Sequence, residues 1–364
     1  MNSSLEGRID VRIALHGTQA AVIQIASSRP RLARKLMTGA TPKAAAERAG
    51  LIFSLCGKAQ RIAAEMACEA AQGIVPEDAV LAARTQRVII ELAQEHVWQL
   101  LVNWPQLRSL QPDMQTLLGL RQSAQDPAVF QMNLQALLRD VLLGEDAGQW
   151  LRRDLHGFDD WCAQARTLPA RMFGAWSPAD DHGIRETALL PPLHQLSAAH
   201  CIDLAQQALA DEDFCGQPLW QGRPAETGAV ARLHEHPLLL AWIVARGRGA
   251  GARQLARLVE LACMPQLFHA ASMPLARGYG LAENVGMSAI ETSRGLLIHV
   301  VRLADGLVAD YRIVAPTEWN FHPAGALGEA LAGLSPAADV ATRAREICQS
   351  LDPCVAFGVE LTHA

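Results

Sequence analysis

Cysteine offers this 364-residue chain its most versatile chemistry, and two of the eight cysteines occupy distinctive settings. Cys56 lies in Ile52-Phe53-Ser54-Leu55-Cys56-Gly57-Lys58-Ala59-Gln60, just ahead of a run in which Ile62, Ala63, Met66, Ala67 and Ala70 recur at helical spacing. A thiol beside a helix N-terminus feels the partial positive charge of unpaired N–H groups, so its pKa is expected to be lowered and the thiolate favoured. Cys354 lies in Leu351-Asp352-Pro353-Cys354-Val355-Ala356-Phe357-Gly358-Val359-Glu360. Each segment holds one cysteine where a metal site wants two, and a lone cysteine is commonly a buried small apolar side chain. Cys68 in Ala67-Cys68-Glu69-Ala70 and Cys263 in Leu261-Ala262-Cys263-Met264 read as core packing. The cysteines are scattered without paired spacing and no export signal precedes them, which predicts free thiols.

Two other clusters invite a functional reading and weaken on inspection. His234-Glu235-His236 could direct both imidazoles one way in an extended segment, but a metal needs three or four convergent ligands, so a helix-flanking pair is favoured. Arg246-Gly247-Arg248-Gly249-Ala250-Gly251-Ala252-Arg253 lacks the order of a phosphate-binding loop, and no strand leads into it. It reads as an interhelical turn whose arginines could meet an acidic protein surface.

The elements that must position these residues are mostly helical. Leu5 to Ala26 alternates apolar and polar residues about His16-Gly17, predicting a β-hairpin. A helical pattern starts at Arg29, and Thr41-Pro42 opens a further helix with Thr as N-cap. One long helix is predicted from Glu77 to Leu107, ended by Asn103-Trp104-Pro105, with others over 113–123, 127–143, 146–166 and 196–210. The Pro-, Gly- and Asp-rich stretch from Leu168 to Pro192 reads as loop. Asp305-Gly306 between alternating apolar runs is a strong hairpin signal. Helices follow Gly325 and Asp339. Net charge is -5 without a long run of one sign, so nothing marks nucleic acid or anionic lipid as a partner. Lacking a secretory signal or a membrane-length apolar stretch, the chain is expected in the cytoplasm with no membrane insertion.

Three ordered motifs carry a resemblance. Glu291-Thr292-Ser293-Arg294-Gly295, the Asp305-Gly306 hairpin and Val314-Ala315-Pro316-Thr317-Glu318-Trp319-Asn320 resemble the EAPRG, DG and VAPTTWN segments of nickel-iron hydrogenase large subunits. Arg31 to Gly39 resembles the helix preceding that family's first cysteine segment. Leu5-Glu6-Gly7-Arg8-Ile9 resembles its RIEGH opening strand, with Glu6 in place of a proton-relaying glutamate. The Cys56 segment resembles the family's CxxCxxxH, and the Cys354 segment its DPCxxCxxH. Phe53 and Phe357 fall where two cysteines belong, and Gln60 and Glu360 where histidines belong. Cys56 matches the second cysteine without a gap; aligned with the first, Ala59 would take the second position. The resemblance implies an α+β, mostly α, large-subunit-like fold in one domain over 1–364. Residues 1–75 and 276–364 would form the two halves of the metal site, around a helical core and loops at 76–275.

The same resemblance implies what the residues do. Arg294 would lie beside the iron, and Thr317, in the Pro316-Thr317 turn, would hydrogen-bond an iron-bound cyanide; their plain alternatives are a surface strand residue and a turn-capping hydroxyl. Two thiolates, Cys56 and Cys354, can hold one iron already carrying strong-field diatomic ligands but cannot also terminate and bridge nickel, and Phe53 and Phe357 would fill the nickel volume. With neither the histidine nor a tail beyond the C-terminal motif, nickel-dependent trimming is not expected. The pattern resembles HupK/HoxV-type hydrogenase accessory proteins. It implies a non-catalytic scaffold for a transient Fe(CN)2CO fragment without nickel, served by HypC-type and HypD-type chaperones and delivering to a hydrogenase large subunit precursor. Two alternatives stay open: a metal-free structural homologue, and a mononuclear iron redox protein.

Overall fold

The computed structural model describes residues 7–16, 19–29, 31–176, 186–268, 275–334 and 339–363; Glu6 lies outside them. The N-terminal alternation forms two antiparallel strands, β1 (Arg8–His16) and β2 (Gln19–Ser27). Short parallel strands β3 (Ala188–Leu189) and β4 (Ala225–Glu226) follow. A four-stranded antiparallel meander is built from β5 (Ala276–Ala282), β6 (Val285–Thr292), β7 (Gly295–Ala304) and β8 (Leu307–Val314). Its last turn is the predicted hairpin. Asp305 and Gly306 both take positive φ, 50° and 76°, as a tight two-residue turn between twisted strands requires.

The last strand, β9 (Ala356–His363), was not foreseen. It joins β1 in parallel, with Arg8 opposite Ala356 and Ile13 opposite Leu361, so the sheet order is β2-β1-β9. Ile9, Val11 and Ile13 leave one face of β1 to form a core with the helices Ala326–Ala332 and Val340–Ser350. Cys354 is thereby set just ahead of a strand that locks the two ends of the chain together.

The helix Gly57–Ala71 lies against the meander. Its small residues Ala63, Ala67 and Ala71 let β6 approach so closely that a Cβ at Gly286 would overlap the Ala71 nitrogen and the Ala67 oxygen. Ser288 Oγ donates to the Ala63 carbonyl at 2.7 Å across the same contact. The predicted long helix runs from Asp78 to Trp98 and continues through a wider π turn, Gln99–Asn103, into Trp104–Leu107. Around it a second core gathers Trp104, Phe130, Trp150, Phe158 and Trp242.

Three helical expectations need correction. The 146–166 helix is two pieces, Ala147–Trp150 and Leu155–Gln164, because Asp154 caps the second by accepting from Gly157 N. The supposed loop after Leu168 begins with a helix, Leu168–Gly174, started by Thr167 as N-cap and Pro169 in its first turn; residues 177–185 of that stretch are not among those described. The arginines near 246–253 do not face outward for a partner. They join two helices, Pro237–Arg246 and Ala250–Leu267, and are used internally: Arg246 pairs with Asp159 at 2.6 Å and Arg253 with Glu226 at 2.6 Å. Among the described residues no helix is long and apolar enough to cross a membrane.

Candidate metal centre

Cys56 ends a short 3-10 turn, Ser54–Cys56, and stands at the N-cap of the helix Gly57–Ala71. The expected thiolate does not follow from that position. Glu91, reaching over from the helix Asp78–Trp98, accepts from Lys58 N and Ala59 N at 2.9 Å each, so a carboxylate already occupies the positive end of the helix. Burial, then the neighbouring Cys354 sulfur, push the Cys56 pKa up to about 12, against the opposing pull of Arg294. Left empty, the site keeps Cys56 as a thiol. Gln60 Nε2 donates to its sulfur at 3.6 Å.

Cys354 is positioned from three sides. The helix Val340–Ser350 ends at Leu351, and Asp352 turns the chain with a φ of 53° before Pro353. Arg257 Nη2 donates to Ser350 O at 2.6 Å and Arg253 Nη1 to Ser350 Oγ at 3.1 Å, so the buried helix Ala250–Leu267 grips the end of that helix. Thr317, in the short helix Pro316–Asn320 opened by Pro316, donates its hydroxyl to Cys354 Sγ at 3.1 Å.

Arg294 is not a surface residue; it is 5% exposed in the two-residue turn between β6 and β7. Thr292 Oγ1 accepts from Arg294 N at 3.2 Å and donates to Gly295 O at 2.9 Å, and Asn320 Nδ2 donates to Arg294 O at 3.1 Å. Asn320 Oδ1 also accepts from Thr227 N at 2.9 Å, so the last residue of the Pro316–Asn320 helix fixes the arginine turn. The Arg294 Nη2 donates to Glu95 at 2.9 Å and to Asp352 at 3.4 Å. Burial opposes its charge, but Asp352, Glu95 and the two thiols together hold the guanidinium well above its usual range. Its Nε and Nη1 are buried without a partner. Unpaired donors of this kind are costly unless something accepts from them.

Both cysteines line one cavity of about 660 Å³, with Phe53, Gln60 and Tyr311. Arg29, ahead of the helix Ala33–Met37, borders it too and pairs with Glu318 at 2.5 Å. Burial works against the Arg29 charge, yet Cys354, Glu318 and Cys56 raise its pKa overall. Phe53 lines the same cavity as the two thiols, whereas Phe357 sits opposite Ile9 on β9 and packs into the core under the N-terminal sheet. Glu360 also points elsewhere, pairing with Arg12 at 3.1 Å on the exposed side of that sheet. His234 and His236 flank the ends of two helices, as the helix-flanking reading has it. Among the described residues no three His, Cys, Asp or Glu side chains converge to hold a metal.

Sequence comparison bears on this geometry. The chain is 33% identical to the hydrogenase expression/formation protein HoxV of Cupriavidus necator, over 93% of each chain. It is 32% identical to HupK of Azotobacter vinelandii, over 99% of this chain and all of that one. The chain belongs to the HoxV/HupK family of hydrogenase expression/formation proteins. The nickel-dependent hydrogenase family is matched over residues 263–360, which hold Arg294, Thr317 and Cys354. Among solved structures, the Ni-Fe-Se hydrogenase from D. vulgaris Hildenborough in the reduced state superposes with a TM-score of 0.61 at 13% identity, over 94% of this chain and 95% of that one. An NAD+-reducing NiFe hydrogenase in the H2-reduced state gives 0.59 at 16% identity, over 93% of each. At such identities the likeness is one of fold: this family member is built as a hydrogenase large subunit.

Sequence reasoning missed the supports supplied by the middle of the chain. Glu91, Glu95 and Gln99 recur every fourth residue and form a polar stripe down one helical run. Glu91 caps the Cys56 helix, Glu95 pairs with Arg294, and Gln99 donates to Asp352 at 2.5 Å. Polar residues at that spacing beside the apolar stripe of Val88, Leu92 and Val97 were a readable sign that the helix faces something charged.

Proposed function

We propose that the chain is a maturation scaffold: Cys56 and Cys354 hold an Fe(CN)2CO fragment as cargo and release it to a hydrogenase large subunit precursor, without binding nickel and without catalysing a reaction. The observation that carries this reading is the donor set. Cys56 and Cys354 line one cavity and act on each other electrostatically; Cys215 lines it too but packs into a separate core with its sulfur directed at Ala208 O, and among the described residues no three His, Cys, Asp or Glu side chains converge. A bare ion would be left with an incomplete shell, whereas iron arriving with its own diatomic ligands needs only a few more donors. Arg294, whose charge interacts with both cysteines and which keeps two unpartnered nitrogens, and the Thr317 hydroxyl match the polar ends of bound cyanide and the charge of an anionic cargo.

Family membership supports the wider role, since the relatives are named for hydrogenase expression and formation. On this reading HypC-type and HypD-type chaperones are the source of the cargo. A cytoplasmic location follows from that traffic. The scaffold would bind by exchanging thiol protons for iron and release it as protons return to the sulfurs.

The test is an infrared spectrum of protein purified without oxygen from cells expressing the hydrogenase maturation machinery. Metal-bound carbonyl and cyanide bands are expected in the wild type and are expected to vanish in Cys56→Ala and in Cys354→Ala. Bands that survive both substitutions, or a wild type free of iron from such cells, would overturn the proposal in favour of a metal-free homologue.

A further inference from the structure

Behind Cys56 runs a chain of three buried side chains that iron ligation does not itself require. Gln60 Nε2 lies 3.6 Å from Cys56 Sγ; Gln60 Oε1 lies 2.8 Å from His299 Nε2; His299 Nδ1 lies 2.8 Å from the Tyr311 hydroxyl. Gln60 is 3% exposed, and His299 and Tyr311 are no more than 1%. The three come from different elements, the Cys56 helix, β7 and β8, and the imidazole stacks edge-on to the phenol.

The direction of the chain is set by what each group can do. A sulfur bound to metal has no proton and only accepts, so the amide must present its N–H to Cys56 and its oxygen to His299. That oxygen needs a donor, which assigns the imidazole proton to Nε2. Nδ1 is then a bare acceptor, and the Tyr311 O–H must fill it. Burial keeps His299 neutral, its pKa lowered to about 3, and holds the phenol protonated by raising its pKa well above the usual value. Turned round, the chain would set the Gln60 oxygen against the metal-bound sulfur and take from the buried Tyr311 O–H the acceptor it has in Nδ1.

We infer that Tyr311, His299 and Gln60 act as a one-way hydrogen-bond relay that fixes the Cys56 sulfur as an acceptor and moderates its electron donation to the iron cargo. The inference rests on the iron-holding role proposed above. Tyr311 and His299 are positioning residues acting through Gln60, and Gln60 contacts the ligand sulfur. An N–H donated to a thiolate draws density away from the metal; without it the sulfur donates more, iron returns more to its carbonyl, and the carbonyl stretch falls.

The experiment compares carbonyl bands in anaerobically loaded wild type, Gln60→Met, Tyr311→Phe and the double variant. Gln60→Met removes the donor at similar length and is expected to lower the carbonyl frequency. Tyr311→Phe, although it does not contact Cys56, is expected to lower it as well, because the freed imidazole can take the other tautomer and turn the amide oxygen toward sulfur. The double variant is expected to match Gln60→Met alone. A Tyr311→Phe band at the wild-type position, or a Tyr311→Phe shift that persists on top of Gln60→Met, would overturn the relay while leaving the iron-holding role intact. A wild type with no bands would overturn that role and the relay with it. Should Tyr311→Phe fail to fold, Gln60→Asn, which keeps the amide but shortens its reach, is expected to shift the band, and an unmoved band would count against the relay.

Discussion

His299 shows how burial of one residue reaches the stability of the whole protein. Its pKa is about 3 in the fold and near 6.5 when the chain is open, because desolvation disfavours the imidazolium. Below pH 6.5 the unfolded chain therefore takes up a proton that the native protein refuses until about pH 3, and stability falls as pH drops through that window. Between pH 6.5 and 5 the loss from this group is about 2 kcal/mol. His96, also lowered by burial, works in the same direction. Denaturant unfolding of the wild type and of His299→Gln at the two pH values isolates the term: the wild type is expected to lose about 2 kcal/mol more than the variant over that interval. Parallel losses in the two proteins would mean that His299 titrates normally. At the same scale, the two thiols were legible from their motifs, but the state of Cys56 was not. A helix N-terminus alone argued for a lowered pKa, and only the fold reveals that the thiol is buried beside Cys354 and that Glu91 has taken those N–H groups.

The contact between the Cys56 helix and the meander governs where Cys56 and Gln60 stand. Gly286 lets β6 touch the backbone of that helix at Ala67 and Ala71. Gly286→Ala is expected to cost 1–3 kcal/mol of stability, read by denaturant unfolding, since a methyl there meets main chain that cannot swing aside. An alanine variant as stable as the wild type would show that the helix can ride outward freely. Most elements were readable: the alternation from Leu5 to Ala26, the Asp305-Gly306 turn, Thr41 as a cap, and the helix leading to Asp352 all have local causes. Elements whose boundaries depend on a single capping side chain were less so. Asp154 splits one predicted helix in two, and Thr167 with Pro169 starts one inside a stretch whose composition suggested loop.

Over the whole molecule, the site is assembled by long-range closure. β9 reaches β1 across a separation typified by Arg12 and Glu360, 348 positions apart, and no local pattern announces a parallel pairing of that span. The same holds for Arg29 with Glu318 and for Glu95 with Arg294, whose partners become neighbours only when the chain ends meet around the helical core. Family resemblance supplied that global frame where local physics was silent, but it also set Phe357 in the nickel volume, whereas that ring packs under the N-terminal sheet. In place of a closed ligand shell the fold sets Cys56, Cys354 and an ion pair, Arg29 with Glu318, around a cavity of about 660 Å³. On the scaffold reading proposed above, such a site receives something already assembled and lets it go.

The most direct test is transfer. Protein loaded in cells given an iron isotope label is mixed, without oxygen or further iron, with a metal-free large subunit precursor, and the two are separated and read for label and for carbonyl and cyanide bands. A scaffold is expected to lose both together as the precursor gains both, with Cys354→Ala transferring nothing. Label and bands that stay with this protein, despite a precursor competent to accept iron from its usual source, would contradict the account.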